Sequence, residues 1–453
     1  MTTHNRGAQR PWRAAALLAV CTTGVSAMAQ APDTAAARIR LADAVGAAQR
    51  NSVQAVQAHG QITTAVTEER AAYAAFLPNV SVGLNSNFSN TFGNNGNSVD
   101  VNNGSTGVVV GNNGRSNFSS SSAITASLTL FDGGRRIYDV RAARADLTAA
   151  EASNVNQAYA TALAVNQSFF NALAAREQLA AGESQLALAD SAARIANLRT
   201  RLRVATVSDS LRAAISVVDA RLAIATALTS LASANATLSR LVASPVIVTA
   251  DPADTGTFDR SLPDSASLRV LAENGPLVKL AAAQQTVSVE QRRAARSAFL
   301  PQVDATYSFS GNGQNPYLGL GAQAYGNRVG LSVSLPILDQ FQRQSALSRA
   351  DVAAGNSGAS AKDARLAARE TLTQAVGTMQ LAAQRMTEQA LSMRAAEEDL
   401  RIQLDRYRIG EATIVEVLTS QSELTQARAA LIQARFDFRV ARAQIESVTG
   451  KPL

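Results

Sequence analysis

The chain lacks most of the residues on which catalytic centres depend. Among its 453 residues there is one cysteine, Cys21, and there are two histidines, His4 and His59. A lone cysteine forms no internal disulfide, and two isolated histidines supply neither a Ser-His-Asp arrangement nor metal-ligand spacing. No phosphate-binding glycine loop can be assembled either, so no enzyme, cofactor or metal site is expected. Aromatic residues make up 5% of the chain and Trp12 is its sole tryptophan, which argues against a thick globular core. No segment has eighteen uninterrupted apolar residues, so no transmembrane helix is expected. A membrane-embedded form would have to be a closed β-barrel.

What is present is alanine, arginine, glutamine, leucine and serine in long stretches that favour extended helices. Residues 1–29 have the form of an export signal: Arg6, Arg10 and Arg13, an apolar run at 14–20, then Ala27-Met28-Ala29. Cleavage after Ala29 would remove Cys21. The alternative is lipid attachment at Cys21, because Leu18-Ala19-Val20-Cys21 partly resembles a lipobox. The formal net charge of +7 includes three arginines of the signal. The remaining arginines are interspersed with acidic residues along helices, which indicates solvated faces and no nucleic-acid partner.

The chain also repeats itself. Ser297-Ala298-Phe299-Leu300-Pro301-Gln302-Val303 echoes Ala74-Ala75-Phe76-Leu77-Pro78-Asn79-Val80. Residues 30–243 form a first repeat, 244–267 a linker and 268–453 a second repeat. Each opens with a helical stretch that Pro78 or Pro301 ends, because proline lacks the amide donor. Period-two alternation follows at about 79–88, 122–131, 302–310 and 328–336, the pattern of strands with one apolar and one polar face. Their length suits a tilted bilayer crossing.

Asn-, Gly- and Ser-rich loops join each strand pair, the first longer than the second. Phe88, Phe92, Phe118, Tyr307, Phe309 and Tyr317 lie near strand ends, where an interfacial aromatic girdle belongs. The competing reading is two ordinary hairpins on a soluble protein. Long helices without proline then run at about 137–200 and 342–406, each reaching roughly 90–100 Å at 1.5 Å per residue. Return helices at about 208–243 and 413–448 are about half as long. Small residues such as Ala142, Ala145 and Ala149 allow close antiparallel pairing.

The turn after the second long helix reads Arg406-Tyr407-Arg408-Ile409-Gly410-Glu411-Ala412-Thr413-Ile414-Val415-Glu416. Gly410 is placed to stop a helix and Thr413, with Glu416, to cap the next. The first turn, Arg203-Val204-Ala205-Thr206-Val207-Ser208-Asp209, reads as a shortened echo with Ala205 in the place of the glycine.

These motifs, twice in the same order, resemble the TolC-like family of outer-membrane factors, over nearly the whole chain after the signal. The resemblance implies a mainly helical fold with a membrane β-barrel part. Four strands per chain would complete a twelve-stranded barrel in a homotrimer, continued by a long α-helical barrel across the periplasm. It implies an exit duct of a tripartite efflux pump or type I secretion system, embedded among outer-membrane lipids. The tips, Val204, Ala205 and Thr206 with Ile409, Gly410, Glu411, Ala412 and Thr413, would dock a periplasmic adaptor engaged by an inner-membrane pump or ABC exporter. It further implies a gate narrowed by acidic residues. Glu397, Glu398 and Asp399 occupy that neighbourhood, Glu398 being placed inward and Arg401 standing where another acid is expected. A solvated acidic face paired with Arg394 or Arg401 is the competing account. The rival function is a soluble or lipid-anchored periplasmic helical scaffold.

Overall fold

The computed structural model describes residues 37–91, 115–253, 264–313 and 324–452. Cys21, the rest of the expected export signal, and Phe92 and Tyr317 lie outside the described residues. The first repeat comprises β1 (Ala37–Ile39), α1 (Leu41–Asn51), α2 (Val53–Ala74), β2 (Asn79–Thr91), β3 (Arg115–Phe131), α3 (Arg135–Arg201) and α4 (Val207–Val242). The second comprises α5 (Ser265–Glu273), α6 (Pro276–Ser297), β5 (Gln302–Gly313), β6 (Ala324–Ser334), α7 (Gln342–Ile409) and α8 (Ile414–Thr449). Between them lies β4 (Val248–Ala250), which pairs in parallel with β1. The chain is thus mainly helical with few strands.

The four longer strands form one antiparallel sheet in the order β2-β3-β5-β6. It is open: β2 and β6 each pair on one side only. Val80, Val82, Val329, Leu331 and Val333 all stand exposed on it. Phe88 faces Phe118 across the first ladder with ring centroids 5.7 Å apart, and Phe309 stacks on Tyr325 at the same separation. The first hairpin extends beyond its alternating core because a serine-rich run, 119–122, continues the ladder. Backbone hydrogen bonds there do not need alternating side chains.

Helices α3 and α7, of 67 and 68 residues, run without a break for about 100 Å each. The pre-strand helices do break. Ser52 (φ −65°, ψ 150°) separates α1 from α2 and its hydroxyl accepts the Ala55 amide, while Asn274 and Gly275 separate α5 from α6. Towards the sheet, α3 lies between α2 and α6, and α6 packs on α7. Towards the opposite end, α3 lies between α4 and α8, and α8 packs on α7. The row of helices therefore has α2 and α4 along one edge and α7 along the other. Its best-filled core is midway, where Phe169, Phe170, Leu173, Leu238 and Phe436 gather beside β4.

Helix α4 bears on the expectation of no transmembrane helix without overturning it. Among the described residues it is the one helix long and apolar enough, by length and composition, to cross a membrane. Its apolar residues are interrupted by Ser, Thr, Asn and a few charged residues, so a count of uninterrupted residues passes over it. Ala213, Val217 and Ala220 face α3, whereas Leu211, Ile215, Val218 and Leu222 are all more than 60% exposed. Their 4-3-4 spacing is a coiled-coil seam without a partner in this chain.

Each strand-to-helix elbow carries the same clamp. Asp132 accepts the Arg136 guanidinium at 3.0 Å and its backbone amide at 3.0 Å; Arg136 lies 4.8 Å over the Phe76 ring. Asp339 and Arg343 repeat this at 2.7 and 3.1 Å, with Arg343 5.1 Å over Phe299. The phenylalanine ahead of each strand-leading proline is thereby tied to the start of a long helix. Desolvation opposes ionisation of Asp339, yet hydrogen bonds and charge from Arg343 hold its carboxyl below the usual range. The backbones differ. Gly133 and Gly134 take left-handed conformations (φ 69° and 84°), and a Cβ on Gly133 would lie 2.6 Å from the Ser297 carbonyl oxygen. In the second elbow Gln340 and Phe341 adopt that conformation (φ 56° and 62°), at a cost of about 1–2 kcal/mol per residue.

Candidate gate and docking tip

At the end remote from the sheet both helix pairs reverse through turns with the same spacing from the left-handed residue to the cap of the next helix. Gly410 (φ 93°) ends α7, with its amide and that of Glu411 donating to the Arg406 carbonyl at 3.0 and 2.9 Å. Three residues later Thr413 caps α8, its hydroxyl accepting the Glu416 amide at 3.4 Å. In the first turn Arg203 (φ 61°) holds the left-handed position, three residues before Thr206, which caps α4. The first turn is therefore not shortened. Arg203, not Ala205, stands where Gly410 stands, and strain at a side-chain-bearing residue hid the equivalence. The reciprocal capping box also sits in the first turn, between Thr206 and Asp209 at 3.1 and 3.2 Å.

A small core joins the turns. Tyr407, Ile414, Val417 and Leu424 pack with Ala192, Ala196 and Ala213. Arg199, near the end of α3, donates to the Tyr407 carbonyl, lies 4.6 Å over the Tyr407 ring and reaches the Val204 carbonyl at 3.5 Å. One arginine thus holds the first turn against the last turn of α7. Tyr407 is 2% exposed and its hydroxyl is buried without a hydrogen-bond partner among the described residues. Burial pushes the phenol above its ordinary pKa; Arg199 opposes the rise and Asp209 adds to it. Gln421, 1% exposed, is likewise buried with neither amide atom paired. Arg199 and Gln421 carry no sequence signal for these roles, whereas Asp209 stands three residues after Thr206 as Glu416 does after Thr413. Tyr407 lies in the turn motif, which marks its position and not its bonds.

Of the tip residues singled out from sequence, Val204, Ile409, Gly410, Glu411 and Thr413 are exposed and Ala205 is half-buried. Ala412 is buried among the core residues, so its contribution is packing. Leu202 and Val207, which the motif does not single out, are 65% and 66% exposed beside Val204 and Ile409. Together these four make an apolar tip. Pro78 and Pro301 sit at the far end of the helices, each immediately before its strand.

The acidic cluster is largely neutralised. Glu397 pairs with Arg428 of α8 at 2.8 Å, and Asp399 accepts from Ser420 of α8 and from Gln403 at 3.4 Å. Glu398 pairs with Arg401 at 2.6 Å, Arg401 with Asp405 at 3.3 Å and Asp405 with Arg408 at 3.0 Å. This chain of alternating charge runs along the face of α7 turned away from α8, opposite buried Leu400 and Tyr407. Hydrogen bonds from Arg401 hold the Glu398 carboxyl below the usual glutamate range. With a lowered pKa, the pair is fully formed above the ordinary glutamate value and is lost only as pH falls through the lowered one. Mild acidification does not break it. No group of three His, Cys, Asp or Glu side chains suited to a metal occurs among the described residues.

Comparison with known proteins places this architecture. Among solved structures, the outer membrane protein VceC of Vibrio cholerae superposes with a TM-score of 0.72 at 16% identity, covering 91% of this chain and 96% of its own. The outer-membrane channel CmeC of Campylobacter jejuni gives 0.74 at 14%, covering 90% and 85%. The open state of the channel MtrE of Neisseria gonorrhoeae gives 0.72 at 19%, covering 91% and 89%. At these identities the likeness establishes the fold. Among curated proteins no sequence match reaches significance. The model of the outer membrane efflux protein family matches residues 45–244 and 268–451, one match per repeat. Those spans take in both elbows, both long helices and both tips, and the chain belongs to the outer membrane efflux protein family, located in the outer membrane and extending into the periplasm.

Proposed function

We propose that three copies of the chain form one outer-membrane channel, the exit duct of a tripartite efflux pump or a type I secretion system. The open sheet carries the proposal. Four strands with two unpaired edges and an exposed apolar face cannot stand alone in lipid, where every backbone group must be paired. Three copies joined β6 to β2 supply twelve strands and leave no edge. The helices support the same closure. The stripe on α4 lies on one edge of the row, and on α7, the other edge, Leu391, Ala395, Glu398, Ile402, Asp405 and Ile409 recur at 4-3-4-3-4 spacing, all exposed. A soluble scaffold has no use for either unpartnered surface.

The apolar tip of Leu202, Val204, Val207 and Ile409 is the docking surface for a periplasmic adaptor, which links the duct to an inner-membrane pump or ABC exporter. Conductance of the purified protein in planar bilayers, together with a heat-modifiable trimer in the outer-membrane fraction, tests the assignment. A soluble periplasmic monomer without conductance would overturn it.

We read Glu397, Glu398, Asp399 and Arg401 as bracing the gate rather than forming a ring of free carboxylates, a reading the ion pairs support. Arg401→Gln leaves Glu398 without its partner while Asp405 keeps Arg408, and Glu398→Gln leaves the cluster one positive charge richer. Reversal potentials in a salt gradient should shift towards cation preference for Arg401→Gln and away from it for Glu398→Gln. An unmoved potential for Arg401→Gln would take this cluster out of the conduction path.

A further inference from the structure

We propose that an open cavity at the elbow of the second repeat, where the guanidinium groups of Arg135 and Arg349 meet an exposed apolar lip, binds the headgroup of an anionic phospholipid. The cavity measures about 840 Å³ and lies between the start of α3, the end of α6 and the start of α7. Ala294, Ala295 and Ala298 form its apolar side and Phe341 its lip. Three arginines and two aspartates line it, which leaves one positive charge in excess. Arg343 is committed to Asp339 and only 14% exposed. Arg135 is 3.6 Å from Asp139, beyond hydrogen-bond length, and 65% exposed. Arg349 donates to the Ser345 carbonyl at 3.4 Å and has no carboxylate within 4.0 Å among the described residues. Asp132 and Asp339 cap the starts of both long helices, so the positive field in the cavity comes from the arginine side chains.

The lip fixes the kind of anion. Ile337, Leu338 and Phe341 are 90%, 86% and 71% exposed and lie in the short connection between strand β6 and helix α7. In water such a patch is unfavourable; against acyl chains it is not. Phe341 keeps a left-handed backbone that the first elbow gives to Gly134, so the chain holds a strained aromatic at the surface. Because Phe341 belongs both to the patch and to the cavity wall, the cavity opens on the side the patch faces. A ligand reaching both must be apolar at one end and anionic at the other. A phosphodiester lipid at the periplasmic surface of the membrane has that form, and guanidinium groups recognise phosphate oxygens in pairs.

The site rests on the outer-membrane location and not on the adaptor. Native mass spectrometry of the full assembly, stripped of lipid in a neutral detergent, tests it with added phosphatidylglycerol, phosphatidylcholine or inorganic phosphate. The expected result is one phosphatidylglycerol retained per chain, preferred over phosphatidylcholine and not displaced by inorganic phosphate. The Arg135→Gln/Arg349→Gln chain should hold phosphatidylglycerol about tenfold or more weakly, with phosphatidylcholine unchanged. Phe341→Gly should weaken both lipids. Equal retention of phosphatidylglycerol by the double variant overturns the proposal, as does equal retention of the two lipids by the wild type. Displacement by inorganic phosphate would make it a free-anion site and overturns it as well. Both arginines are exposed, the same spectrum reports assembly, and Arg349→Gln alone should lower phosphatidylglycerol retention by a smaller factor. Conductance that persists while lipid retention is lost leaves the channel assignment standing.

Discussion

Glutamate at both Ile215 and Leu222 is expected to leave the chain folded and unable to form a trimer. Both side chains are more than 60% exposed on α4 and turned away from α3, so the substitutions remove no contact within the chain. In a closed assembly they meet the edge of the next copy. Each buried aliphatic side chain contributes about 1.5–3 kcal/mol, and the loss recurs at all three interfaces. A carboxylate in the same seam adds a desolvation penalty on top. Trimer should disappear from the outer-membrane fraction, and conductance with it, while the helical circular dichroism of the purified chain stays intact. A trimer that survives both glutamates would mean that α4 lies outside the interface. The helical wall would then have to close by some other edge, with the stripe left to another partner.

What the sequence made legible follows from which features are periodic. The duplicated Phe-Leu-Pro segments, the alternating strands and the unbroken alanine-rich helices are repeated signals, and the fold class follows from them. The β1–β4 pair left no trace, because three-residue strands are too short for a period; residues 244–250 read as linker although Val248 and Ala250 belong to the central core. The break at Ser52 was hidden because one extended residue with a capping hydroxyl interrupts a helix without proline or glycine. At the tip, Gly410 and Thr413 were readable since their chemistry is local. The staple between Arg199 and Tyr407 was not, because its partners lie 208 positions apart and only the packing of α3 beside α8 and α7 brings them together. Exposure was harder to read: nothing in the turn motif separates buried Ala412 from exposed Ile409.

Tyr407 is the position at which substitutions of different size should push the gate in opposite directions. Its ring fills the small core that joins the two turns, so Tyr407→Ala should destabilise the tip by about 3–5 kcal/mol, as buried aromatic truncations do. Arg199 would also lose the ring beneath it. Freed from that contact, the last turn of α7 separates from the first turn more readily, and single-channel conductance should rise severalfold. Tyr407→Phe removes only the hydroxyl, which is buried and unpaired here. An unsatisfied buried polar group costs roughly 1–3 kcal/mol, so its removal should stabilise this arrangement or leave it unchanged. Arg199 keeps both the carbonyl and the ring. If opening carries the hydroxyl to water, the phenylalanine chain loses that gain as well, and openings should become rarer. Denaturant unfolding and planar-bilayer recordings of the two variants distinguish these effects. A phenylalanine chain that is less stable than the wild type would mean that the hydroxyl has a partner supplied by a neighbouring copy, and Tyr407 would then belong to the interface between copies rather than to the staple within one.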